Sequence, residues 1–175
     1  MATAADPSQT TTRGSGDTGA LAPNSEFDSI RVGLPAAVPM VRTLNLVFEQ
    51  ASPDRVVMVL PDQPEFQNHI GGPHAGAMFT LGESASGAFV LGHFGDLLDR
   101  STPLAVQATI RYLKVAMGPL RATALLTRPV DEIREEFEAG VRPEFDVEIQ
   151  FSDAAGTVTG SMTVTWTLRP NRQHS

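Results

Sequence analysis

"NHIGGPHAGAMFTLGESASGAFVLG", residues 68–92, decides the fold. From Pro73 or His74 onward it predicts a long helix, since proline suits a first turn where its missing N–H costs nothing. The helix carries glycine at 76, 82, 87 and 92 and almost no polar face. Such a helix must be enclosed by something concave. A membrane is a poor enclosure for it, because Glu83, Ser84, Ser86 and four glycines fall within a span of marginal length.

Strand signals lie on both sides. Upstream, "LNLVFEQ" (44–50) and "RVVMVLP" (55–61) flank the turn composition "ASPD" and read as a hairpin. Before them, "SEFDSIRVGLPAAVPMVRT" is broken by Pro35 and Pro39 and reads as short helical turns. Downstream, "VQATIRYLKV", the turn "AMGP" and "LRATALLT" give two strands. Phe145, Val147, Ile149 and Phe151 then alternate with polar residues, as do Val158, Gly160, Met162, Val164, Trp166 and Leu168. Between these pairs "RPVDEIREEFEAGVRP" reads as an exposed helical insert over 131–140, capped by Asp131, ended by Gly140 and with its charges solvated. Two strands, one apolar helix and four strands define an α+β protein: an antiparallel β-sheet wrapped around one long central helix, the hotdog architecture. A single copy leaves a sheet edge and a helix flank that call for a second.

The chain has 175 residues, enough for one domain, which we place at 28–170 between an N-terminal tail (1–27) and a C-terminal tail (171–175). The first 27 residues are too polar to pack and lack the apolar core of a signal peptide. A net charge of −7 argues against a nucleic-acid surface. Zero cysteines exclude disulfides, thiolate metal sites and cysteine nucleophiles, and a cytoplasmic protein is expected. His69 and His74 sit in a Gly-rich loop without a clear third ligand, so no metal is expected.

Glu83 is the chemical anomaly. A carboxylate among Met78, Phe79, Leu81 and Phe89 is costly unless paired, hydrogen-bonded or protonated. It either accepts hydrogen bonds from a Ser or from a backbone N–H of a second copy, or serves as a general base or nucleophile whose basicity is raised by dry surroundings. An electrophile would be held by the first-turn N–H groups near Ala75 and Gly76, at the positive end of the helix dipole. Ala75 and Glu83 are eight residues apart, roughly 12 Å along one helix. If both act on one carbonyl, they come from different subunits of a homodimer with composite sites, and pairing into a tetramer is left open.

"NHIGGPHAGAMFTLGE" resembles the signature of hotdog-fold acyl thioesterases of the phenylacetate-pathway (PaaI) type, in which Asn or Gln precedes a His-Gly-Gly turn and an acid follows nine residues after the His. Here Asn68 lies six before His74 and Glu83 nine after. The resemblance runs from about Pro39 to Pro170, and the insert is similar to that of a thioesterase-like branch of uncharacterised function. It implies Glu83 as base or nucleophile, the Ala75 N–H as polariser of the thioester carbonyl, and Asn68 and His74 as residues orienting thioester or water. It also implies substrate contacts from His69, Gly72, Met78, Phe79, Ser86 and Gly87. Arg111 and Lys114 of "TIRYLK" either cap an exposed strand face or meet coenzyme A or the phosphopantetheine of an acyl carrier protein, groups that belong to the substrate rather than to a resident cofactor. The sequence departs from the signature in its His-Ala-Gly turn and at Gly87, where some relatives place a Thr or Ser; Ser84 or Ser86 could substitute.

Three functions use these parts. The first is hydrolysis of a small-molecule acyl thioester. The second is conjugate addition of water or an amine to an α,β-unsaturated thioester. The third is acyl-CoA binding without turnover.

Overall fold

The computed structural model describes residues 25–172. α1 (Ser25–Ala37) and α2 (Pro39–Thr43) lead into β1 (Val47–Ala51) and β2 (Val56–Leu60). α3 (Ala75–Phe94) follows, then β3 (Ser101–Tyr112), β4 (Leu120–Leu126), α4 (Val130–Glu138), β5 (Glu144–Ser152) and β6 (Val158–Pro170). The strands form one antiparallel sheet in the order β1-β2-β4-β5-β6-β3, which curls around α3. The expected hotdog architecture is the observed one.

Period-two burial makes the wrap. On β5, Phe145, Val147, Ile149 and Phe151 are buried and face α3, while Glu148 and Gln150 are exposed. On β6, Met162, Val164 and Leu168 do the same, and Asp146 Oδ1 accepts a 2.6 Å bond from the Thr165 hydroxyl across the outer face. Leu81, Ala85, Ala88 and Phe89 of α3 complete the core, each large side chain contributing about 1.5–3 kcal/mol by leaving water. Two helix glycines are notches. A Cβ at Gly82 would lie 2.7 Å from both Met162 Sδ and the Phe151 ring, and one at Gly92 would lie 2.3 Å from the Phe27 ring.

The hairpin of β1 and β2 is as expected, with Val47 opposite Val59. The segment after β3 is not a hairpin turn. β3 pairs with β6 and β4 with β2 and β5, so residues 113–119 cross over, anchored by the Leu113 and Lys114 N–H groups on the Thr159 carbonyl. Among the described residues β3 is therefore an open edge, and its exposed side chains include Val106, beside a register shift, and Tyr112.

The N-terminal segment is a 13-residue helix, not short turns; it absorbs Pro35 in its last turn, and its free carbonyls at Pro35 and Ala36 accept bonds from Arg42. Residues 25–27 belong to α1, with Phe27 buried, rather than to a tail; residues 1–24 lie outside the described residues. At the other end Asn171 is fastened by its N–H to the Arg100 carbonyl and by its side chain to Leu98, Asp99 and Thr102, while 173–175 lie outside the described residues. α4 is no exposed insert, because Ile133 and Phe137, four residues apart on one face, are buried. Its N-cap is Pro129, without a side-chain cap, and Asp131 sits inside the first turn. Its charges are not simply solvated: Arg134 grips Asp96 at 2.8 Å and the His93 carbonyl at the end of α3, and Glu138 pairs with Arg100.

Candidate active site

The loop entering α3 is built by Asn68. Its Oδ1 accepts from the N–H groups of Ile70 (3.0 Å) and Gly72 (3.2 Å), and its Nδ2 donates to the Pro73 carbonyl (3.2 Å). The side chain expected to orient a thioester is occupied in shaping the loop, as Asn commonly is. Gly72 is buried with both backbone groups bonded to Asn68, and a Cβ there would lie 2.3 Å from the Ala116 carbonyl oxygen. It lets two backbones pass closely and is not open to substrate. His69 is exposed.

His74 is the N-cap of α3, its Nδ1 accepting the Gly76 N–H at 3.0 Å. The Gly76 donor is thereby spent, and the ring is held by the turn it caps. The Ala75 N–H, at the first helical position, has no intrahelical partner and no acceptor among the described residues. The Tyr112 hydroxyl donates to the Ala75 carbonyl at 3.2 Å, tying the end of β3 to this turn. Tyr112 carries no signal in the sequence, since only the fold brings it to Ala75.

At about 100° per residue, Gly76, Phe79, Thr80, Glu83, Gly87 and Leu91 share one flank of α3. As far as Glu83 this flank is open rather than covered by the sheet: Phe79 is 37% exposed and Glu83 half-buried. The Glu83 carboxylate has no hydrogen-bond or ion-pair partner among the described residues, and burial raises its pKa above the ordinary carboxylate value. It is neither fully enclosed nor satisfied within one copy.

Ser86 is not available to substrate. It is fully buried, donates to the Glu83 carbonyl at 2.7 Å and accepts from Trp166 Nε1 at 3.1 Å. Gly87 lies beneath the same indole, where a Cβ would make ordinary contact at 3.5 Å. Arg111 is exposed on β3 and is not among the walls of the grooves below.

Two grooves flank the start of α3. One, about 390 Å³, lies between α3 and the residues following β3; Asn68, Ala75, Met78, Tyr112, Lys114 and Val115 are among its walls. The other, about 500 Å³, lies between α3 and α2; Met40, Phe66, His74, Gly76 and Thr80 are among its walls. Of the expected substrate contacts, Met78 and Lys114 thus line the first groove, and Phe79 the open flank. Among the described residues no three His, Asp or Glu side chains cluster as metal ligands, and no helix is long and apolar enough to cross a membrane.

Solved structures share this fold. A Pseudomonas aeruginosa protein of unknown function, described as a probable thioesterase, is 28% identical with a TM-score of 0.73, over 82% of this chain and 95% of that one. The PaaI protein of the Escherichia coli phenylacetic acid degradation operon is 12% identical with a TM-score of 0.66, over 83% and 94%. A Chlorobaculum tepidum protein of unknown function is 12% identical with a TM-score of 0.76, over 85% and 97%. No functionally curated protein matches the chain. The model of the domain of unknown function DUF4442 matches residues 28–168, and the chain belongs to that family; its hotdog fold is thioesterase-like, shared with the structures above.

Proposed function

We propose that this member of the DUF4442 family hydrolyses acyl thioesters of coenzyme A or an acyl carrier protein, at composite sites shared by two copies. The observation that carries the reading is the half-buried Glu83 carboxylate on the open flank of the same helix whose first N–H is at Ala75, both without a partner among the described residues. The two are about 12 Å apart along α3. Antiparallel α3 helices from two copies bring the Ala75 of one to the Glu83 of the other. The unpaired edge of β3 and the exposed Phe79 are the surfaces such a pairing covers.

In this reading Glu83 takes a proton from water as the water oxygen bonds to the thioester carbon. The carbonyl oxygen becomes an oxyanion held by the Ala75 N–H. The intermediate collapses by breaking the C–S bond, and the sulfur leaves with the proton that Glu83 had taken. The raised pKa of Glu83 makes it a stronger base than an exposed carboxylate.

Conjugate addition to an α,β-unsaturated thioester is the second reading. It is favoured by the surroundings of Glu83, where the Ser86 hydroxyl is already bonded and Gly87 offers none to hold a hydrolytic water. Mass spectrometry of products from saturated and α,β-unsaturated acyl-CoA thioesters separates the two. Free acid that disappears in Glu83→Ala supports hydrolysis, and a mass gain confined to unsaturated substrates supports addition. Undiminished turnover in a folded Glu83→Ala protein refutes both.

A further inference from the structure

The two grooves lie on opposite faces of α3: Ala75 and Met78 point to one, and Gly76, Ala77 and Thr80 to the other, about half a turn away. They meet at the first turn, where the proposed carbonyl site lies. A thioester has two arms diverging from its carbonyl, so a substrate held there sends one arm along each groove. The assignment of arms rests on the thioester reading above and goes beyond it.

Charge separates the grooves. Among the described residues, Lys114 is the only charged side chain lining the first, and Glu65 the only carboxylate lining the second. The carrier arm of a thioester bears phosphates, which Lys114 attracts and Glu65 repels. The second groove is also drier than its composition suggests. The Thr43 hydroxyl donates to the Pro39 carbonyl at 3.1 Å and the Thr80 hydroxyl to the Gly76 carbonyl at 3.0 Å, each within its own helix. The Gln67 amide is bonded to Asp62 at 2.9 Å. Both hydroxyls and one amide N–H of its walls are thus bonded elsewhere, so Met40, Leu44, Phe66 and Ala77 supply an apolar wall beside Glu65 and His74. Its volume of about 500 Å³ falls in the range of small-molecule sites.

We propose that the groove between α2 and α3 holds the apolar acyl chain of the substrate, that the Lys114 groove holds the carrier arm, and that Met40 sets the acyl length accepted. Met40 is 52% exposed at the start of α2, so its size can change without disturbing the core. Its unbranched thioether is an adaptable wall.

The test is calorimetric binding of S-methyl- and S-octyl-coenzyme A thioethers, which cannot be hydrolysed, with acyl-CoA turnover measured in parallel. Wild type should bind the octyl ligand roughly tenfold or more tightly than the methyl ligand, since each buried methylene adds affinity. Met40→Trp should remove most of that ratio, and Met40→Ala should shift the preference to chains longer than octyl. Lys114→Ala should weaken both ligands alike and reduce the salt dependence of binding. Equal affinity for the two ligands in wild type, an unchanged ratio in both folded Met40 variants, or loss of chain discrimination in Lys114→Ala overturns the assignment. If the binding pattern holds but wild type turns over no thioester, the catalytic reading fails and the acyl groove stands.

Discussion

Replacing Ala75 with proline deletes one hydrogen, the proposed oxyanion donor, and little else. Proline is accepted at the first helical position because its N–H makes no intrahelical bond. It requires extended backbone in the residue before it, and His74 already has φ −63° and ψ 140°. The Tyr112 bond is made to the Ala75 carbonyl, which proline keeps. Removing one oxyanion donor costs about 10²–10³ in kcat, or about 2.7–4 kcal/mol. The assay is kcat and KM on the best acyl-CoA substrate, with thermal melting as a check on folding and Ala75→Ser beside it to enlarge the side chain while keeping the N–H. Loss confined to kcat in Ala75→Pro, with Ala75→Ser near wild type, is the expected result. A proline ring that merely obstructed the groove would instead raise KM. Wild-type kcat in a folded Ala75→Pro protein refutes the assignment of this N–H.

Burial raises the Glu83 pKa, so the folded protein binds this proton more tightly than the unfolded chain and loses stability as pH rises above the ordinary carboxylate range. Glu83→Gln should therefore melt higher than wild type at neutral pH, with the gap closing as pH falls; a lower melting point would show that the carboxylate is satisfied. Burial foremost lowers the pKa of His93, packed edge-on against Phe27 and Phe89, so His93 contributes stability that is complete above about pH 6.5 and lost below it. His93→Phe should flatten that part of the melting-temperature profile, and an unchanged slope would assign it elsewhere. Ile133→Ala should cost about 2–5 kcal/mol in denaturant melts, whereas a change within about 0.5 kcal/mol would return α4 to the exposed helix its charges suggest.

The central helix and the last two strands were legible because each has a single period with little noise: an apolar run punctuated by glycine, and Thr or acidic residues alternating with Phe, Ile and Val. Strand order was not, since it rests on a crossover whose anchor, Thr159, lies some forty-five residues further along the chain than Leu113. α4 misled because its three apolar residues, Val130, Ile133 and Phe137, are outnumbered by charges, and four of those charges, Glu132, Arg134, Glu136 and Glu138, close ion pairs with Asp96, Arg100 and Arg128. At the site, Glu83 and Ala75 could be singled out from helix geometry and the cost of burying charge. Asn68 and Ser86 could not be told from substrate contacts, because an amide or hydroxyl that organises its own backbone has the same letter as one that waits for a ligand. The α2 groove had no local signal, being assembled from three separated segments.

The notch at Gly92 bears on how such chains diverge. The Phe27 ring occupies the space a methyl group at 92 would need, so position 92 cannot gain a side chain while that ring stays in place. A relative with alanine at 92 must carry a smaller residue at 27 or seat its first helix further from the central one. Sequences across the family should accordingly show these two positions varying as a pair, and chains that have lost the first helix should be released from the glycine.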